Sequence, residues 1–341
     1  MHNANQVNKS QFRILFKVFL FRIVDLELLS EYSDSTKLLG QIGALLAAIS
    51  FVFTAPLILV GGLPHETIVT MEHVLIATTM VVVGLISVLS WDSTFPDRRD
   101  VLVLGPLPIR SRTIFLAKVA AVGSALSLSI LALNVFAGCV WPLTFFPSES
   151  GPTGLLRSLT AYWTTMFASG AFVFCSVLGL QWFVAQLFSR QLFLRLSAPL
   201  QVALFCLFLT VYFLEPPLET VIQLPLPETQ RLLAWLPTYW FLALFQDLNG
   251  SPDPAFAPLV GRAGIGLAIA LVAAGIAYAF SYMKTQRLAV EEPDIQPHSR
   301  KAAWPLKLGS SIQTAILFFS LRTLLRSRPH RIILSFYLGV G

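Results

Sequence analysis

Six long apolar runs dominate the chain, at about 38–63, 71–91, 115–146, 158–188, 194–214 and 259–283. A bilayer core of about 30 Å needs about 20 apolar residues in helical form. Hydrocarbon offers the backbone no hydrogen-bond partner, so each run predicts a transmembrane helix. The third and fourth runs are longer than a bilayer needs, which predicts tilting or projection beyond it. Polar residues inside the runs are sparse. Asn134, Gln181, Gln186 and Gln201 suit hydrogen bonding between packed helices, and Gly84, Gly123, Gly138, Gly170 and Gly179 suit close helix approach. Glu72, Lys118 and Arg262 fall near run ends, where long side chains reach toward water.

The segments around these runs carry their own patterns. Phe12, Leu15, Phe16, Phe19, Ile23 and Leu26 recur at helical spacing, interrupted by Arg13, Lys17 and Arg22. That mixture predicts an amphipathic helix at the membrane surface. The alternative is an ordinary basic anchor before the first span. Residues 215–258 include Leu233–Asn249, an apolar and aromatic stretch too short and too Pro-broken to span. Trp235, Tyr239 and Trp240 suit an interfacial belt, and Pro237 a break between two short helices. A basic and aromatic segment recurs from Thr314, with Arg322, Arg326, Arg328 and Arg331, beyond a polar linker at 284–313. Its likeness to the N-terminal segment suggests the start of a second membrane half, and hence a chain truncated after Gly341.

Composition agrees with the runs. Hydrophobic residues make up 55% of 341 and charged residues only 12%, against about 25% charged in soluble domains. The mean hydropathy is +0.71. A net charge of +6 raises nucleic acid as a partner, but the distribution of charge argues against it. Twenty-one of the 24 Lys and Arg residues lie in residues 1–39, the 91–118 segment, the 188–195 turn and the tail from Lys284. Arg157, Arg231 and Arg262 lie on the opposite side in a six-span count. This alternation predicts a cytoplasmic N-terminus and C-terminus. Cys139, Cys175 and Cys206 all sit inside apolar runs without a CxxC motif and suit small buried hydrophobes. The N-terminal stretch lacks the uninterrupted apolar core and small-residue cleavage site of a signal peptide.

Candidate chemistry is thin. No phosphate-binding GxxxxGK[ST] loop is present. His65, Glu66, Glu72 and His73 form HETIVTMEH, whose two histidines lack the i, i+4 spacing of a zinc helix. Asp92, Asp97 and Asp100 suit Mg²⁺, and would serve a membrane-embedded prenyl- or phospholipid-type transferase. No second acidic cluster accompanies them, and pairing with Arg98 and Arg99 is the simpler reading. The lack of titratable groups at mid-membrane argues against a proton-coupled carrier.

The segment Trp91–Lys118, WDSTFPDRRDVLVLGPLPIRSRTIFLAK, is the most distinctive. PDRRD leads into VLVLGPLPIRSR and then TIFLAK, which starts the third run. This order resembles the first cytoplasmic loop of the membrane subunits of ABC-type exporters of the second type, although Asp100 stands where Glu is more usual. The resemblance extends over residues 10–285: an interfacial elbow helix, six spans and a re-entrant segment before the sixth. It implies an all-α polytopic protein of the cytoplasmic (inner) membrane, with an N-terminal region at 1–37, a membrane domain at 38–283 and a C-terminal region at 284–341. It further implies a permease without catalytic residues, metal or cofactor of its own. Its partners are an ABC-type ATPase subunit, a second permease half or a second copy, and membrane lipids, with no nucleic acid. The coupling loop implied is Asp97, Arg98, Arg99, Asp100, Leu102, Leu104, Gly105, Pro106, Leu107, Pro108 and Arg110, and the elbow residues are Arg13, Phe16, Lys17, Phe19 and Arg22. The other readings are the transferase and a non-transporting membrane scaffold.

Overall fold

The computed structural model describes residues 2–24, 35–59, 65–91, 109, 111–145, 151–188, 190–215, 234–250 and 256–291, and short stretches at 312–314, 316–317, 319–320, 333–334 and 336–339. Among these residues there are helices and no strand. In chain order they are α1 (His2–Val24), α2 (Ser35–Leu59), α3 (His65–Leu89), α4 (Ser111–Asn134), α5 (Ala137–Phe145), α6 (Gly151–Leu187), α7 (Arg190–Leu214), α8 (Pro237–Asn249) and α9 (Val260–Glu291), the last preceded by a 3₁₀ turn at Ala257–Leu259.

Five of the helices contain segments long and apolar enough to cross a membrane: Thr67–Leu89, Thr113–Asn134, Gly151–Leu187, Leu196–Leu214 and Ala257–Phe280. The chain is therefore a polytopic membrane protein. In α2 the apolar stretch found is shorter, Gly40–Ala55. Large apolar side chains also cover the outside, among them Leu116, Leu131, Ile265, Ile269 and Val272. Helices apolar on every face belong in hydrocarbon rather than in water.

The core is built around α3 and α6. The α3 span is 67% buried within the bundle, against 28% for the α4 span, so α3 is central and α4 peripheral. The 37 residues of α6 extend about 55 Å at about 1.5 Å per residue. This helix contacts α3, α5, α8 and α9. It begins at Gly151, earlier than the run at 158–188 suggests. At the other end of the chain, α9 continues past residue 283 to Glu291.

The third run is not one helix. It breaks at Val135–Phe136 into α4 and α5. Asn134 is fully engaged at the break: its Nδ2 donates to Ile130 O (3.0 Å) and Thr79 Oγ1 (3.2 Å), and Tyr162 OH donates to its Oδ1 (2.9 Å). Beyond it, Ser50 of α2 accepts hydrogen bonds from the backbone N–H groups of Phe136 (3.2 Å) and Ala137 (3.3 Å). A side chain from another helix thus satisfies donors that a new helix start leaves open. Hydropathy does not register this, because the residues at the break remain apolar.

The expected close approaches occur at three of the five glycines. A Cβ on Gly138 would lie 2.5 Å from Trp163, on Gly170 2.6 Å from Ile130, and on Gly84 2.8 Å from Phe208. Gly179 is looser, at 3.4 Å from Ala273, and Gly123 faces open space. The cysteines also divide: Cys175 is buried, Cys206 partly so, and Cys139 is exposed, contrary to its expected burial.

Candidate functional site

Helix α1 is positioned by its apolar stripe. Leu15 and Phe19 are buried against Ala117 and Ala121 of α4, with Phe12, Phe16, Leu20, Ile114 and Ile109 packed around them. Small residues on α4 let α1 lie close, and Phe12 and Phe16 stack at 6.4 Å. Arg13 and Lys17 occupy the exposed face of α1. The side chain of Arg22 lies outside the described residues. Lys118 is buried, with its ammonium 5.5 Å from the centre of the Phe19 ring. That geometry suits a cation–π contact, and it replaces the expectation that Lys118 reaches out at a helix end.

The expected loop residues Asp97, Arg98, Arg99, Asp100, Leu102, Leu104, Gly105, Pro106, Leu107, Pro108 and Arg110 lie outside the described residues, as do Asp92 and residues 292–311 of the polar linker. The two stems of the loop are described. On the α3 side, Trp91 is buried and Gln181 Nε2 donates to its carbonyl oxygen at 3.0 Å. On the α4 side, Ile109 belongs to the apolar cluster that fixes α1. One stem is therefore tied to α6 and the other to α1 and α4.

The opposite end of the bundle holds a polar cluster. His73 Nε2 and Glu215 Oε1 are 3.2 Å apart, and both side chains are buried. Thr238 at the start of α8 donates to the same carboxylate oxygen. Tyr239 stacks on His73, with ring centres 4.3 Å apart. Burial, with the Glu215 carboxylate second, pushes the Tyr239 phenol above its ordinary range. Glu72 is buried beside this cluster in sequence and takes a hydrogen bond from Trp141. These are buried titratable groups that sequence reading placed at accessible ends. Arg262 alone of the three terminal charges is exposed, donating to Ala234 O at 3.2 Å.

Helix α8 is the element of 233–249 that is described. Pro237 sits at its N-terminus, where no N–H is missed. Gly250 ends it at φ +86°, a left-handed conformation suited to glycine. Arg157 of α6 then donates from Nε to Leu248 O at 2.7 Å, placing a cation where the helix dipole favours one. Of the expected belt aromatics, Trp235 is exposed, but Tyr239 is fully buried and Trp240 is half-buried with its indole on Ala234 O. Tyr239, Phe241, Leu242 and Phe245 instead form part of the main core.

Among the described residues no group of three or more metal-ligating side chains converges. At the loop end, the Trp91 stem is held by Gln181 of α6 and the Ile109 stem packs with α1 and α4. In comparisons with known proteins, no family model, no curated protein and no solved structure matches this chain.

Proposed function

We propose that the chain is the membrane permease subunit of an ATP-driven exporter of the ABC type, working with a separate ATPase subunit. The observation that carries this reading is the shared apolar cluster of Ile109, α1 and α4. A loop pushed by a cytoplasmic motor moves membrane helices only if its ends are fixed to them. Here the loop exit and the N-terminal helix are packed as one unit, in the manner the Trp91–Lys118 resemblance implies for a coupling loop and elbow. The distribution of Lys and Arg supports placing that end, with both termini, in the cytoplasm. On this reading α2 is also a span, giving six when α4 and α5 count as one crossing. The amphipathic N-terminal helix lies at the interface, and α8 is the re-entrant element before the last span. A second permease half or a second copy completes the pathway.

The test is recovery of the partner. Affinity purification of the chain from its native membrane in mild detergent is expected to bring down an ATPase with a P-loop, identified by peptide mass spectrometry. Recovery of the folded chain without any such ATPase, including after chemical cross-linking, contradicts the proposal.

A further inference from the structure

The basic and aromatic segment from Thr314 suits the membrane surface by its pattern, but its last described residues lie elsewhere. Residues 333–334 and 336–339 are helical, and Gly339 lies against α7 inside its span. A Cβ on Gly339 would stand 2.7 Å from Leu209 Cδ1, 3.2 Å from Leu209 Cβ and 3.5 Å from Cys206 Cα. The last distance is an approach to the backbone of α7, a closeness that glycine permits.

Both partners have the sequence for such a contact. On α7, Ala203, Cys206 and Thr210 recur at three and four positions, which puts small side chains on one face. Ser335 precedes Gly339 by four positions, the spacing by which small residues bring membrane helices together. Phe336, Tyr337 and Leu338 are exposed, and their apolar surface suits hydrocarbon. Depth agrees as well. Helix α9 returns the chain to the loop end, where Phe280 meets Trp182 of α6 at 6.1 Å. No charge occurs between Arg331 and Gly339, and an arginine at that point suits headgroup level. Gly339 lies eight positions past Arg331, about 12 Å of helix. Cys206 lies ten positions past Leu196, where the α7 span starts at the same end, about 15 Å of helix. The two depths differ by less than one helical turn.

We propose that the stretch after Arg331 enters the bilayer and docks on α7 through Gly339, as a further membrane segment of this chain. The charge pattern holds the tail in the cytoplasm as far as Arg331 and leaves the uncharged residues after it free to insert. Helices already in lipid gain no hydrophobic term by associating, so close packing has to hold the contact. The inference uses the membrane placement of the helices and does not depend on an ATPase partner.

The test is oxidative cross-linking in native membranes, with Cys139 and Cys175 replaced by serine and Cys206 kept. Gly339→Cys is expected to form an intrachain disulfide with Cys206, identified by mass spectrometry of the joined peptides. Tyr337→Cys, on the exposed face, is expected to give at least ten-fold less. A second Gly339→Cys protein carries Leu209→Ala, which removes the side-chain tip nearest the added carbon, and is expected to cross-link too. Failure of both Gly339→Cys proteins to cross-link overturns the proposal, as does equal yield from position 337 or joining of two copies only. Should the Gly339 variants not accumulate, Tyr337→Cys without other cysteines decides. It is expected to resist a membrane-impermeant maleimide in intact cells and in inverted vesicles, and to react once detergent is added. Labelling of position 337 in either intact preparation overturns the insertion.

Discussion

Leu102→Asp and Leu104→Asp are each expected to lower transport-coupled ATP hydrolysis at least ten-fold, about 1.4 kcal/mol, without changing membrane insertion. If 91–118 is the coupling loop, its leucines fill an apolar groove on the ATPase. A carboxylate there is desolvated without a partner, which costs more than the hydrocarbon contact it replaces. Arg98→Ala should lose much less, because exposed ion pairs contribute only about 0–1 kcal/mol. The contrast between the leucine and arginine variants distinguishes docking into a groove from attraction by charge alone. The measurement is ATP hydrolysis and partner recovery for the reconstituted pair. Equal activity in the leucine variants and wild type contradicts the assignment.

Gly138→Val is expected to be the most damaging of the glycine substitutions, at about 2 kcal/mol or more of destabilisation. Even the first added carbon meets Trp163 Cζ2 at 2.5 Å, Trp163 Cε2 at 2.8 Å and Tyr162 Cε1 at 3.1 Å. These are ring atoms wedged between α5 and α6, unlike the flexible Ile130 tip that faces Gly170. Displacing α5 also moves Trp141, the hydrogen-bond donor to Glu72, and the added side chain presses on Tyr162 of α6, the donor to Asn134. Gly123→Val is the matched control: nothing lies within 4 Å of its Cβ position, and a change of under about 0.5 kcal/mol is expected. Size-exclusion chromatography after graded heating in one detergent compares the two. A Gly138 variant as heat-resistant as the Gly123 variant contradicts the packing described for α5.

Hydropathy disclosed the long helices because hydrocarbon punishes every polar backbone group outside a helix. It disclosed α1 because aromatic and basic residues alternate faces. It missed the break after Asn134, whose cause is a serine on another helix, and it missed how deeply α8 is buried. The polar cluster at the end of the bundle away from the loop was equally hidden. His73 and Glu215 are 142 positions apart, and no local spacing connects a residue of α3 with one that follows α7. Glu72 and Lys118 were misplaced for a related reason. Nearness to a run end suggests access to water, but Trp141 and Phe19 cover these side chains from elements distant in sequence. The family resemblance rests on Trp91–Lys118, of which the described residues give the two stems: Trp91 held by Gln181, and Ile109 packed with α1.

The most direct test of the central claim is the side of the membrane on which position 99 lies. Arg99→Cys is introduced after Cys139, Cys175 and Cys206 have been replaced by serine, and a membrane-impermeant maleimide is applied to intact cells and to inverted vesicles. Trp235→Cys, at an exposed position before α8, provides the opposite-face control in the same cysteine-free background. The account predicts labelling of position 99 only in inverted vesicles and of position 235 only in intact cells. Labelling of position 99 from outside intact cells contradicts it.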